Sequence, residues 1–449
     1  MTQRHRFTPN VACAVASAAF LLGTPAVAKS QLQTIYQSTA PGDYLIGTHA
    51  NADGTVFVIS SVGPNGSGQI LLLTPNHKTY RSSLIKAFAC DIDGGSPGRE
   101  LVADSAGNVW GMANGCGGNP NADPQGTLFE LIKPQAGGSW TFKTVVQMPA
   151  SMGDLGVVGS GYGRVAFDRH NNLYGLATLG CNAEDGCGKI FQVPAGLLDG
   201  GKPKSKVKIL YTFPTSTSQP IGLVRDKSGN LFGVEYGGGT PHLGAVWEVS
   251  PPSSKNGSWT GGNIHEFCTT QNSGSCDDGY GPSGIPALDG KGDLFGTTQY
   301  DGGSHTGNGT VWTLVPPAGG DWTFGEVHTF RDPQGQCSPT TDYGLYHPQY
   351  NTLLDKKGQI LTFMGSGGFF DPCGDFQSAI YGALVSISPV SDADTIVSNQ
   401  FAAQQHVSGP YVVFSSPSLL GNVIFGTSAG YYDAPTDTYS AGVVFKITP

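Results

Sequence analysis

Few residues of this chain are grouped as chemistry requires. Gly94-Gly-Ser-Pro-Gly98 has the Gly-x-Ser-x-Gly spacing of a nucleophile elbow, but an elbow needs a strand before it and a helix after it, and this stretch reads as a loop. Asp91-Ile-Asp-Gly94 resembles half of a calcium loop without its later ligands or closing Glu, so a solvated turn is the expectation. The ten histidines show no metal-ligand spacing, and no cofactor or metal is expected. Asp104, Asp168, Asp226 and Asp289 recur before x-x-Gly or x-x-Asn, which marks an Asx-type turn. What remains is a set of aromatics beside carboxylates: Glu235 with Tyr236, Tyr300 with Asp301, Phe369 and Phe370 with Asp371, and Tyr431 and Tyr432 with Asp433. Such rings can stack on a sugar face while the carboxylates accept hydrogen bonds from its hydroxyls. The competing reading is that they pack loops against one another.

These residues must be carried by a repeat. A turn, a hydrophobic strand, a Gly-rich loop and a second strand return seven times. The clearest copies run Asp226-Lys-Ser-Gly-Asn-Leu-Phe-Gly233 to Gly244-Ala-Val-Trp-Glu-Val-Ser-Pro251, and Asp289-Gly-Lys-Gly-Asp-Leu-Phe-Gly296 to Gly309-Thr-Val-Trp-Thr-Leu-Val-Pro316. The turn residues Gly54, Gly107, Asn171, Gly229, Gly292, Gly358 and Gly421 are 53 to 66 residues apart. That period is too long for helical repeats and fits one four-stranded blade. The chain ends on a third strand, Val443–Pro449, and Leu32–Ser38 resembles the missing fourth. Closure removes an open sheet edge. The expectation is therefore an all-β, seven-bladed β-propeller of four-stranded antiparallel blades over residues 30–449, closed by the N-terminal strand. Tyr236 and Tyr300 are expected at equivalent places in neighbouring blades, rising side by side toward the ring mouth with Glu235 and Asp301 alongside.

Residues 1–28 read as a signal peptide, with Arg4 and Arg6, an apolar stretch from Val11 to Leu22 and a small-residue site at Ala26-Val-Ala28. The apolar stretch is too short to span a membrane, so a secreted or periplasmic monomer is expected. Without the leader the charge balance is −11, which argues against nucleic acid or an anionic membrane surface as partner. After Cys13, eight cysteines remain, an even count that suits disulfides in an exported chain. All eight fall in second-to-third-strand loops or blade-to-blade connections, at one end of the ring. The pairing expected from that frame is Cys90–Cys116, Cys181–Cys187, Cys268–Cys276 and Cys337–Cys373.

The repeats resemble the GloVer tandem repeats of bacterial exported proteins. The resemblance lies in Gly309-Thr-Val-Trp312, Gly442-Val-Val-Phe445, Gly229-Asn-Leu-Phe-Gly233 and Asp293-Leu-Phe-Gly-Thr-Thr298, and it spans nearly all of the chain after the leader. It implies a propeller-like protein of the cell exterior and points to no particular activity. Members often carry a C-terminal surface anchor, which is not expected here. Two functional classes follow. One is a non-enzymatic propeller that binds a glycan or an envelope or extracellular protein on its long-loop face. The alternative is a carbohydrate-active hydrolase or lyase with carboxylates at the mouth; a hydrolase would need two of them roughly 5–10 Å apart.

Overall fold

A computed structural model describes residues 31–39, 43–114, 126–135, 138–148, 164–177, 188–198, 206–214, 220–240, 242–269, 271–272, 275–276, 278–300, 309–330, 345–348, 350–367, 383–389, 394–398, 417–428, 432–433, 438–439 and 441–448. Seven antiparallel sheets follow one another as blades of a ring. Blade 4 shows the plan, with strands Pro220–Arg225, Leu231–Glu235, Ala245–Ser250 and Thr260–Glu266 paired in chain order. The first strand is buried and the fourth mostly exposed, and first strands of adjacent blades pack together around the ring axis. Blade 1 spans Leu45–Ala50 to Thr79–Ala87, and blade 3 spans Ala166–Phe167 to Lys208–Thr212. Blade 5 runs from Tyr280–Leu288 to Thr323–Thr329. In blade 2 the inner strand is split into Gly95–Pro97 and Val102–Ala103, and in blade 6 into Leu345–Pro348 and Leu353–Leu354.

Blade 7 is made from both ends of the sequence. Ser418–Leu420, Val423–Ser428 and Val443–Thr448 are completed by Gln31–Gln37, which pairs antiparallel from Gln31–Thr448 to Gln37–Val443. The ring is closed as expected, and Leu45–Ala50 of blade 1 packs against Val423–Ser428 of blade 7.

The recurring phrases have a packing cause. In a strand, successive side chains point to opposite faces. Leu231 therefore packs into the seam with blade 3 while Phe232 packs into the seam with blade 5. The same alternation sends Leu294 back to blade 4 and Phe295 on to blade 6. The glycine that follows leaves room for an aromatic from the third strand directly opposite. Gly233 pairs with Trp247, Gly296 with Trp312, Gly175 with Phe191 and Gly111 with Phe129. A Cβ on Gly296 would lie 2.2 Å from the Trp312 ring. Seven hydrophobic clusters among the described residues each fill one blade-to-blade seam.

The two ends of the ring are built differently. At one end the aspartates close their own turns. Asp226 Oδ1 accepts from the backbone N–H of Gly229 at 2.6 Å and Asn230 at 2.8 Å, and Asp104, Asp168, Asp289 and Asp355 do the same in their blades. At the other end the chain crosses from one blade's outer strand to the next blade's inner strand. Three of these crossings carry an aspartate two residues before the inner strand. Asp93 pairs with Lys86 of the preceding outer strand at 2.5 Å. Asp278 accepts from Cys268 N–H at 2.9 Å and lies 2.9 Å from His265 Nε2. Asp43, 3% exposed, accepts from the hydroxyls of Ser38 (2.7 Å) and Ser60 and from Gln69 Nε2 (3.3 Å). Buried carboxylates need such partners, because unpaired they cost several kcal/mol each. Asp93 is therefore buried in a clasp at the end of a short helix, and not in the solvated turn expected over Asp91 to Gly94. Ser96 lies in the inner strand Gly95–Pro97, and the short helix Cys90–Asp93 precedes it rather than follows it, the reverse of a nucleophile elbow.

Candidate functional site

The second strand of blade 4 ends at the long-loop end of the ring with Glu235, and Tyr236 follows it. Alternation puts these neighbours on opposite faces. Tyr236 continues the face of Phe232 and Val234 and packs into the seam with blade 5. Glu235 continues the face of Leu231, toward blade 3. It is 3% exposed, beneath Gly238, whose Cβ would strike the Glu235 carboxylate. Burial and then the charge of Glu235 push the Tyr211 hydroxyl of blade 3 above its ordinary pKa. The Glu235 carboxylate thus lies on the blade 3 face of its strand, opposite the face that carries Tyr236.

Tyr236 and Tyr300 do come together, but not as equivalent residues. Glu235 pairs with Ala245 just as Thr298 pairs with Thr310, so the register counterpart of Tyr236 is Gln299. Tyr300 is one residue further along and faces the opposite way, back toward blade 4 with Leu294 and Thr298. This offset brings the two rings into one seam; equivalent positions would have pointed both forward. Burial, followed by the charge of and hydrogen bond to Tyr300, raises the pKa of Tyr236. Tyr280, first residue of blade 5, pairs across the sheet with Tyr300, and their rings stack at 4.7 Å and 17°. Gly281, at φ +65°, lies against both the Tyr300 and Tyr236 rings. All three tyrosines are half-buried. Sequence reasoning missed Tyr280, although the pairing of Tyr280-Gly-Pro with the end of the next strand would have shown it.

The loops around this seam are fastened to the outer strand of blade 4. Glu266 Oε2 accepts from Thr240 N–H at 3.0 Å and from its hydroxyl at 2.8 Å. The bond from Asn263 outweighs burial and, with those from Thr240, holds the Glu266 carboxyl below its usual pKa. His265 stacks on Phe324 of blade 5 at 4.1 Å and 10°. The Cys268–Cys276 disulfide closes the same crossing, with Cα atoms 4.7 Å apart, and matches the expected pair. Gln271–Asn272 and Ser275–Cys276 form a small ladder inside it.

The other expected site residues add less. Asp301, Phe369, Phe370, Asp371 and Tyr431 lie outside the described residues, as do Cys116, Cys181, Cys187, Cys337 and Cys373. Asp433 sits in a two-residue ladder, Tyr432–Asp433 with Thr438–Tyr439, and Cys90 opens a short helix; their side chains are outside the description. Among the described residues no three His, Cys, Asp or Glu side chains are grouped to hold a metal ion, and no helix is long and apolar enough to cross a membrane.

No family model matches the sequence, and no curated protein matches it. The GloVer resemblance therefore stands only as a propeller of repeats. Solved propellers do match in shape. Selenomethionine-substituted virginiamycin B lyase from Staphylococcus aureus superposes with a TM-score of 0.51 at 11% identity, over 94% of this chain and 100% of that one. Its catalytically inactive form with quinupristin gives 0.50 at the same identity and coverage. A polysaccharide lyase of family PL25, an ulvan lyase, gives 0.47 at 11% identity over 91% of this chain and 96% of that one. At such identity the two Staphylococcus structures share with this chain the seven-bladed propeller fold, and nothing about activity follows from any of the three.

Proposed function

We propose that this chain is an exported, non-enzymatic binding propeller of the GloVer type, which recognises a glycan or an envelope or extracellular partner on its long-loop face. The observation that supports this reading most is the difference between the ends of the ring. At the turn end the repeated aspartates are occupied by their own backbones. At the opposite end, fastened crossings and a disulfide carry three half-buried tyrosines in one seam. Function in such folds sits on loops held by a rigid scaffold, and partly exposed rings with hydroxyls suit a sugar face. The hydrolase alternative draws no support from Glu235, which is only 3% exposed.

A glycan array on the mature protein tests the proposal, with Tyr236→Ala/Tyr300→Ala beside it. Each stacked ring is worth about 0.5–1.5 kcal/mol beyond area burial. Losing both should therefore weaken a bound glycan by about ten-fold, with the fold retained by circular dichroism. Unchanged binding by the variant, or no binding by the parent, returns the tyrosines to loop packing.

A further inference from the structure

Glu100 and Asn351 stand 251 residues apart, in the gaps of the two split inner strands of blades 2 and 6. Blades 7 and 1 separate them on one side of the ring, and blades 3, 4 and 5 on the other. A contact between these innermost strands therefore crosses the ring axis. Asn351 Nδ2 donates to Glu100 Oε1. The amide is 2% exposed, and its orientation is set from a third blade, because Asn351 Oδ1 accepts from Ile285 N–H at 3.0 Å. Thr352 N–H donates to Ile285 O at 3.0 Å and fastens the same backbone.

The inner strands approach closely enough for this reach. Gly284, at φ +76°, lies where a Cβ would be 2.3 Å from Tyr350 O, and Gly222, at φ +69°, presses on Ile285 in the same way. Gly47 of blade 1 lies against the Arg99 carbonyl, and His49 Nδ1 is 2.9 Å from Leu101 O. Blades 1, 2, 4, 5 and 6 thus meet backbone to backbone around the bridge.

We propose that Glu100 and Asn351 form a bar across the channel, so that the ring is closed at its axis and is not a tunnel. A polymer cannot thread it. A partner engages from one face, by a chain end, a branch or a surface. The statement about partners rests on the proposed recognition face, but the bar does not.

The test is a swap of donor and acceptor followed by thermal melting of the mature protein. Asn351→Asp opposes two carboxylates at the axis and should lower Tm by roughly 2–5 °C. Glu100→Gln leaves Asn351 an oxygen to donate to, and its own Tm is the reference for the double variant. E100Q with N351D should recover most of the loss, the Gln amide donating to the Asp carboxylate. A residue that merely packs locally gives no such recovery. A double variant as unstable as N351D, or additive, overturns the bar. Where N351D does not fold, the double variant decides alone: a near-parental Tm supports the bar and failure to fold overturns it. No ligand enters this measurement, so its outcome is separate from that of the tyrosine test.

Discussion

Blade 5 and blade 1 fill the same place in opposite ways. In blade 5 the second strand has Gly296 and the third places Trp312 over it. In blade 1 the corresponding pair is Val58 and Leu71, and in blade 6 it is Thr362 and Val385. What the first partner gains in volume the second gives up, so each seam stays full. Blades that look degenerate in sequence are thus alternative solutions of one packing constraint, since cores tolerate swaps that conserve total volume. The polar end of the repeat varies separately. Blade 6 lacks the Gly–aromatic pair yet keeps its aspartate turn, with Asp355 Oδ1 accepting from Lys357 and Gln359 N–H.

Giving one blade half of the other's solution should cost the most stability. Gly296→Val pushes a branched side chain into the Trp312 ring, whose atoms lie 2.2–2.8 Å from the glycine's would-be Cβ. Overpacking of this kind costs about 1–3 kcal/mol or more. Trp312→Leu alone leaves a void in the blade 4–5 seam and should cost about 3 kcal/mol or more. Both together reproduce the Val–Leu pair of blade 1, and urea unfolding should show less destabilisation than the sum of the single changes. The orphaned Trp312 Nε1, buried without a hydrogen-bond partner, is also removed. Strict additivity would mean that the pairs are not interchangeable.

Parts of this design that depend on near neighbours were legible from residue types alone. The Asp turns and the Cys268–Cys276 bridge each join residues close together in the chain, the seven-fold period is a spacing along it, and ring closure followed from a single unpaired edge. Contacts between repeats were not legible. Glu235 and Tyr236 read as a pair because they are adjacent, but strand alternation sends them into different seams. Tyr236 and Tyr300 read as equivalent in the sequence, and a one-residue offset, invisible without the pairing register, is what lets them touch. The clasps at Asp43, Asp93 and Asp278 share a position but have hydroxyl, lysine and histidine partners, so no common phrase marks them. The Glu100–Asn351 bridge depends on the closing of the whole ring.

The aspartate turns respond to pH instead. Asp168 is partly buried, which raises its pKa, but bonds from the Asn172 side chain and N–H, from His170 N–H and from the Tyr174 hydroxyl outweigh burial and leave it lowered. A depressed carboxyl contributes stability above its unfolded pKa and loses it as pH falls through the folded value. Asp168→Asn should therefore lower Tm at neutral pH, and the gap between parent and variant should narrow as the medium is acidified below the ordinary carboxylate range. A gap that stays constant with pH would assign the loss to turn geometry rather than charge.

One clear copy has a turn that departs from its neighbours. In blades 2, 3 and 4 an asparagine follows the turn, and its amide donates to the aspartate: Asn108 to Asp104 at 3.3 Å, Asn172 to Asp168 at 2.8 Å and Asn230 to Asp226 at 2.9 Å. Blade 5 has Asp293 there instead, beside Asp289. Burial, and then repulsion from Asp289, raise the pKa of Asp293. A carboxyl raised in the folded state contributes its stability at low pH and loses it as pH rises through the folded value. Asp293→Asn removes that repulsion and supplies the donor the other blades use. It should stabilise the protein at neutral pH by at most about 1 kcal/mol, the net worth of one such hydrogen bond. The advantage should disappear in acid, where Asp293 is protonated and can itself donate to Asp289. Melting curves of the two proteins at neutral and acidic pH decide this, and an equal gain at both would mean that asparagine improves the turn through its backbone rather than by replacing a charge.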